Sequence, residues 1–357
     1  MVVKANREFQ IALAMSGAIS AGAYTAGVFD FLIQALDEWE NARNGPDASA
    51  IPNHMVGIKA MSGASAGSIV AAIGAVALAD ADQEPIDFDA HRDGEQKIKC
   101  YLPKIYKTWV VKPGLVAEGE EKIDFLQTSD LEGPPEKPSD DFSRTHDVPP
   151  AEVEPRPVTS LLNSRLLDAI ARAALDVKDV RDTPRPYVAK NLHIYMMLSN
   201  LRGVPYSVPF DGDTDAKDDN GPRANCYHMI SHSDRVHYAV TGLGMWDSES
   251  EFADKDQKRE IEAASLVIPK NPDWKDYAIC ALGSAAFPVG LAPRLIGATL
   301  SSPDEYKGRH WPIDPFASDF TKAPAWLGAV LAENPFWLRR RTAGSSTMIL
   351  LNTPVSH

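Results

Sequence analysis

The sequence predicts an α/β fold, a three-layer α/β/α arrangement around a mostly parallel central sheet. Short apolar runs of strand length alternate with stretches whose apolar residues recur at helical spacing. The junctions between them are glycine-rich loops, not long linkers. With 357 residues and 44% hydrophobic content the chain can bury a large core, so 1–357 is read as one domain.

Phe9–Met15 (FQIALAM) is the first apolar run, and it ends in a Gly/Ser/Ala loop. Val28, Phe31, Leu32 and Leu36 then mark a helix over Ala23–Trp39. His54–Met61 (HMVGIKAM) repeats this plan, followed by a helix through Ile69, Val70, Ile73, Val76 and Leu78. From Val116 to Pro157 the composition turns acidic and proline-rich, with seven prolines between Pro134 and Pro157. No periodicity survives there, and 116–157 reads as a mobile insertion. Leu161–Leu175 is helical again, and Leu192–Leu198 (LHIYMML) is a buried strand. Val204–Phe210, Cys226–Ser231 and Val236–Val240 fit an antiparallel β meander appended to the main sheet, interrupted by an acidic loop at 211–224. Trp274–Ala286 is a helix closed by Pro288, and Met348–Leu351 is the last apolar run.

A formal charge of -13 argues against a nucleic-acid partner, because phosphate binding needs basic surface to release counterions. Three widely separated cysteines, Cys100, Cys226 and Cys280, indicate neither a disulfide framework nor a paired zinc motif. A reducing, cytoplasmic location is the expectation. Gln10–Phe29 is uncharged and comes after Lys4 and Arg7, as a signal peptide might. Its apolar part, Ile11–Met15, is only strand-long, and Ser16, Gly17, Ser20 and Gly22 dilute the rest of the segment. Neither a cleaved leader nor a membrane-spanning helix is expected.

The stretch Met61–Val70 (MSGASAGSIV) carries G-x-S-x-G between an expected strand and an expected helix. A sharp strand-to-helix turn can push Ser65 into solvent, provided Gly63, Ala64, Ala66 and Gly67 are small enough not to clash. The helix beyond it aims its unpaired N–H groups and positive end at the same point. The alternative is that Ser65 merely caps that helix. Earlier, Gly17–Gly22 forms a second small-residue loop whose backbone N–H groups could stabilise an oxyanion. It contains no Gly-Lys-Ser/Thr and no G-x-G-x-x-G, so a nucleotide cradle is not indicated.

These two loops, in this order, resemble the patatin-like phospholipase family. Gly17-Ala-Ile-Ser-Ala-Gly22 sits where that family has a glycine loop, Gly22-Ala-Tyr-Thr-Ala-Gly-Val28 continues it, and Ala281-Leu-Gly-Ser-Ala-Ala-Phe-Pro288 looks like its later small-residue helix end. The resemblance implies hydrolysis of a lipid acyl ester by a Ser-Asp dyad, a substrate that goes with peripheral membrane contact; the sequence suggests neither cofactor nor metal. By position it makes Ser65 the nucleophile and assigns the oxyanion donors to Gly17, Ala18 and Ile19.

The loop departs from the family pattern at Ala18, Ile19 and Ala21, where glycines and a basic residue are usual. The family's Asp-Gly motif is also not found in its late position. Asp93-Gly94 and Asp211-Gly212 come too early, and Asp304, Asp314 and Asp319 are not followed by glycine. Thr347–Asn352 resembles the strand that should lead into the motif, so the sequence reads as truncated or diverged there, and the dyad aspartate is unknown.

Three other readings stay open. A Ser-His-Asp hydrolase would need His310 or His357 as its late histidine. His228, His232, Asp234 and His237 form either a polar hairpin turning near Ser233-Asp234 or a metal site. A silent fold binding lipid or protein would draw on Trp311, Trp326, Trp337, Phe316, Phe320 and Phe336, for which plain core packing is the alternative.

Overall fold

The computed structural model describes residues 7–18, 20–88, 98–114, 123–128, 141–149, 160–209, 226–247, 259–297, 325–328 and 347–351. The strands are β1 (Arg7–Met15), β2 (His54–Ala64), β3 (Ile86–Phe88), β4 (Ile98–Cys100), β5 (Pro113–Gly114), β6 (Ile123–Asp124), β7 (Arg185–Pro209), β8 (Cys226–Thr241), β9 (Gly244–Trp246), β10 (Arg259–Glu262), β11 (Arg294–Ile296), β12 (Ala325–Gly328) and β13 (Thr347–Leu351). The helices are α1 (Gly22–Asn44), α2 (Ala66–Ala79), α3 (Pro103–Tyr106), α4 (Arg165–Leu175) and α5 (Pro272–Ala285).

The expected alternation of strand and helix is present, and it builds a mixed α/β fold on a mostly parallel central sheet. The sheet order is β10-β8-β7-β2-β1-β13. Neighbours β13, β1, β2 and β7 run parallel, while β7 and β8 are antiparallel. From β1 through β2 to β7 the chain steps in one direction across the sheet, and right-handed crossovers therefore put α1 and α2 on the same face. There Phe29, Ile33 and Leu36 of α1 share one core with Ile11, Leu13 and Met15 of β1 and with α2. Almost every residue of α2 is buried, which explains its composition of Ala, Val, Ile, Leu and Gly all round the helix. Alternate strand residues look the other way. These are small or polar, Ala12, Ala14, Ala60, Ser62 and Ala64, and they too are buried.

The structure corrects the sequence reading in three places. The three-run meander is in fact two long strands. β7 runs through Leu192–Leu198 and Val204–Pro209 with an irregularity between Ser199 and Val204, and β8 pairs along both parts. The turn expected near Ser233-Asp234 is continuous strand, with Ser233 opposite Ser199 and Asp234 opposite Leu198. Polar residues misled here because strands facing a partly polar layer do not advertise it locally.

The second correction concerns the insertion 116–157. Its part 141–149 is packed, with Phe142, Thr145 and Val148 buried and the Thr145 N–H donating to the Leu295 carbonyl at 3.0 Å. Prolines and acids removed the periodicity without removing the contacts. Third, α4 begins at Arg165, because Leu161 and Leu162 donate their N–H groups to the carbonyls of Val289 and Gly290. The acidic loop 211–224 lies outside the described residues.

Candidate active site

Met15 pairs with Gly63 at the carboxyl ends of β1 and β2. On the other side of β1, Met15 pairs with Leu351 of β13. The strand order therefore reverses at β1, and the crevice beyond the carboxyl ends at such a switch point is where open α/β sheets bind ligands.

Ser65 is the single residue between β2 and α2, and its backbone sits at φ 52°, ψ -119°. Such a conformation costs a residue with a side chain about 1–3 kcal/mol and persists only where its surroundings enforce it. The two flanking glycines show how. A Cβ on Gly63 would lie 2.2 Å from the Gly67 carbonyl carbon, and a Cβ on Gly67 would lie 2.2 Å from the Met15 oxygen. Both contacts are backbone on backbone, so only glycine lets strand, turn and helix close this tightly. Ser65 occupies the N-cap position of α2, yet its side chain makes no capping hydrogen bond. The capping alternative thus fails, and the hydroxyl is not committed to the helix.

The first α-helical bond of α2 runs from the Ile69 N–H to the Ser65 carbonyl at 3.1 Å. The N–H groups of Ala66, Gly67 and Ser68 precede it at the positive helix end. Gly17 lies across from them, exposed, where a Cβ would stand 3.1 Å from the Ser65 Cβ. The structure thus brings the two loops together, with Ala18 next in the chain. Ile19 lies outside the described residues.

A serine with no role in the sequence reading completes the elbow. Ser284, in the last turn of α5, is fully buried and accepts the Ser65 N–H at Oγ, 2.9 Å away. Its Oγ also lies 2.5 Å from the Met197 carbonyl of β7 and 2.8 Å from Ser68 Oγ. Ser68 Oγ in turn reaches the Gly63 carbonyl at 2.6 Å. The available signal was a hydroxyl on the buried face of an otherwise apolar helix end.

No carboxylate or imidazole of the described residues hydrogen-bonds the Ser65 hydroxyl. Asp93, Asp211, Asp304, Asp314, Asp319, His310 and His357 all lie outside them, as do the side chains of the C-terminal aromatics. The histidine cluster separates: His232 Nδ1 sits 2.8 Å from the Asn200 carbonyl, whereas His237 Nε2 meets His193 Nδ1 at 2.8 Å and stacks on Tyr195. The His228 side chain is outside the described residues.

Elsewhere His146, Asp147 and Asp276 bring ligand-type atoms within 4.8 Å of one another. Hydrogen bonds account for this arrangement. The Asp276 carboxylate accepts the His146 N–H at 3.0 Å and meets its Nδ1 at 2.6 Å, while Thr145 Oγ1 donates to Asp147 at 2.7 Å. Burial raises the Asp276 pKa above its ordinary value, against the lowering effect of the His146 bonds. Cys100 and Cys280 are free, buried thiols, both pushed up to about 12 chiefly by burial, so neither is a nucleophile near neutral pH. No helix among the described residues is long and apolar enough to cross a membrane.

An uncharacterized protein of Sinorhizobium fredii (strain NBRC 101917 / NGR234), y4iI, is 42% identical to this chain over 327 residues. That match covers 90% of this chain and 41% of the relative, so the chain spans about two fifths of the relative's length. No family model matches the chain. No solved structure matches it either.

Proposed function

We propose that this chain carries a serine acyl-hydrolase site of the patatin-like kind, within a three-layer α/β/α fold, and that it acts on lipid acyl esters. The observation that carries this reading is the strained, uncapped Ser65 between β2 and α2, facing Gly17 at the switch point of the sheet. Strain of this sort is maintained where it serves a site, and here it frees a hydroxyl beside a helix N-terminus. The buried small residues on the sheet face opposite α1 and α2 suit a covering layer on that side too.

In this scheme Ser65 Oγ attacks the ester carbonyl carbon while a carboxylate accepts its proton. The carbonyl oxygen becomes the oxyanion, held by N–H groups from Ala66 and from the Gly17–Ala18 loop. The carboxylate then returns the proton to the leaving alcohol, and water hydrolyses the acyl-enzyme by the same route. The carboxylate itself is unassigned. The last residue of β13, Leu351, pairs with Met15 of β1, immediately before the glycine loop.

The lipid class is supported by the surface beyond Ser284. Phe287, Val289 and Leu161 are exposed apolar residues, and the Leu161 N–H donates to the Val289 carbonyl at 2.8 Å.

The test is labelling with a fluorophosphonate probe, located by peptide mass spectrometry. Modification confined to Ser65 and lost in Ser65→Ala is the expected result. A folded chain that takes up no probe would favour a silent fold that binds lipid or protein instead.

A further inference from the structure

We infer that Ser284 is a positioning residue for Ser65, and that its hydroxyl holds the nucleophile's backbone in the strained conformation on which reactivity depends. The inference rests on the acyl-hydrolase reading and adds to it a residue 219 positions away in sequence from the elbow.

Both flanks of Ser65 are fixed by close backbone packing, but close packing does not satisfy the polar amide between them. A buried N–H with no acceptor costs as much as a lost hydrogen bond. At this turn the amide points away from the strand ladder, and Ser284 Oγ is the acceptor that meets it at 2.9 Å. The same oxygen bridges to β7 through the Met197 carbonyl and to the first turn of α2 through Ser68. Three short oxygen–oxygen contacts, Ser284–Met197, Ser284–Ser68 and Ser68–Gly63, share only two hydroxyl protons. One of the three contacts therefore carries no proton at any moment, but each hydroxyl has a backbone carbonyl to donate to, which fixes its rotamer, and both side chains are fully buried.

With its N–H occupied in this way, Ser65 does not supply an oxyanion donor, and that duty falls to Ala66 and the first loop. The end of α5 also becomes part of the site's support although it touches no substrate. A displacement of the nucleophile on the order of 1 Å can cost a hundredfold in rate, and loss of one central hydrogen bond allows such a shift.

The experiment measures the second-order rate of fluorophosphonate labelling in the full chain, with the urea midpoint of each variant measured alongside. Ser284→Ala removes the acceptor, whereas Ser68→Ala removes a neighbour in the same network that does not touch the Ser65 amide. The expected result is a 10- to 100-fold fall in labelling for Ser284→Ala and less than about a threefold fall for Ser68→Ala, with recovery in Ser284→Thr. Ser284→Cys keeps the site filled but offers only a weak sulfur acceptor, and it carries the test if the alanine variant does not fold. Labelling within twofold of wild type in Ser284→Ala, or in Ser284→Cys if the alanine variant does not fold, would overturn the inference and leave the acyl-hydrolase reading standing. Absence of labelling in the wild-type chain would overturn both. Equal losses in Ser284→Ala and Ser68→Ala at equal stability would reduce Ser284 to a packing residue.

Discussion

Met15–Ala23 (MSGAISAGA) and Met61–Ile69 (MSGASAGSI) are close in composition, lie at the ends of adjacent parallel strands and enter helices on the same sheet face, yet they fold differently. In the second, one residue joins strand to helix and is forced to φ 52°. In the first, β1 ends at Met15 and α1 does not begin until Gly22. The distinction lies in where the glycines meet other backbone. Gly63 and Gly67 are four apart, so the end of the strand and the first turn of the helix press on each other, and Gly67 also presses on Met15. A Cβ on Gly17 would stand 3.1 Å from the Ser65 Cβ and 3.4 Å from the Ala64 carbonyl oxygen, contacts that ask for a small adjustment where those at Gly63 and Gly67 ask for a displaced backbone. Composition alone makes neither an elbow nor a loop; the spacing of the close approaches does.

The two loops should differ most at their serines. Ser65→Ala should abolish probe labelling and ester hydrolysis, while Ser20→Ala, at the corresponding serine of the first loop, should leave both near wild type. A reversed pattern would place the chemistry in the wrong loop. Next in size are the glycines. Gly63→Ala or Gly67→Ala should cost about 3 kcal/mol or more, since backbone must move to admit the methyl group, whereas Gly17→Ala should cost under about 1 kcal/mol and lower labelling severalfold. Urea denaturation of the three variants decides this.

A smaller effect with the opposite sign is expected at the nucleophile itself. Ser65→Gly should raise stability by about 1 kcal/mol, because relief of backbone strain outweighs the extra entropy glycine loses on folding. A variant less stable than wild type would mean that the turn is not strained.

The smallest effect concerns α5, whose Ser284 accepts the amide of the second loop. Asp276 anchors this helix to the His146 segment, and its pKa is raised by burial. A raised folded pKa contributes stability that is fully present below the ordinary carboxylate value of about 4 and is lost as pH rises through the folded pKa. Wild type should therefore lose stability relative to Asp276→Asn between pH 4 and that raised value. Urea midpoints of both proteins across pH 4 to 7 check the sign, and a wild-type advantage that grows with pH would contradict it.

Much of the architecture was legible in sequence because its causes are local. Ile11, Leu13 and Met15 alternate as a strand must, and Phe29, Ile33 and Leu36 recur as a helix must. G-x-S-x-G was legible for the same reason, since both glycines are required by contacts within a few residues or with the neighbouring strand. The β7–β8 pairing and the packing of 141–149 were not, because each depends on partners distant in sequence that leave no periodic trace.

By itself, then, the sequence determined the alternation of strands and helices, the two glycine loops and Ser65, all of which arise from backbone sterics and hydrophobic period over short range. Only the tertiary structure decided that the loops meet at the switch point, that Ser65 is strained and uncapped, and that Ser284 takes its amide. Those facts depend on α5 and β7 arriving beside β2, and no local pattern specifies where a helix end will come to rest.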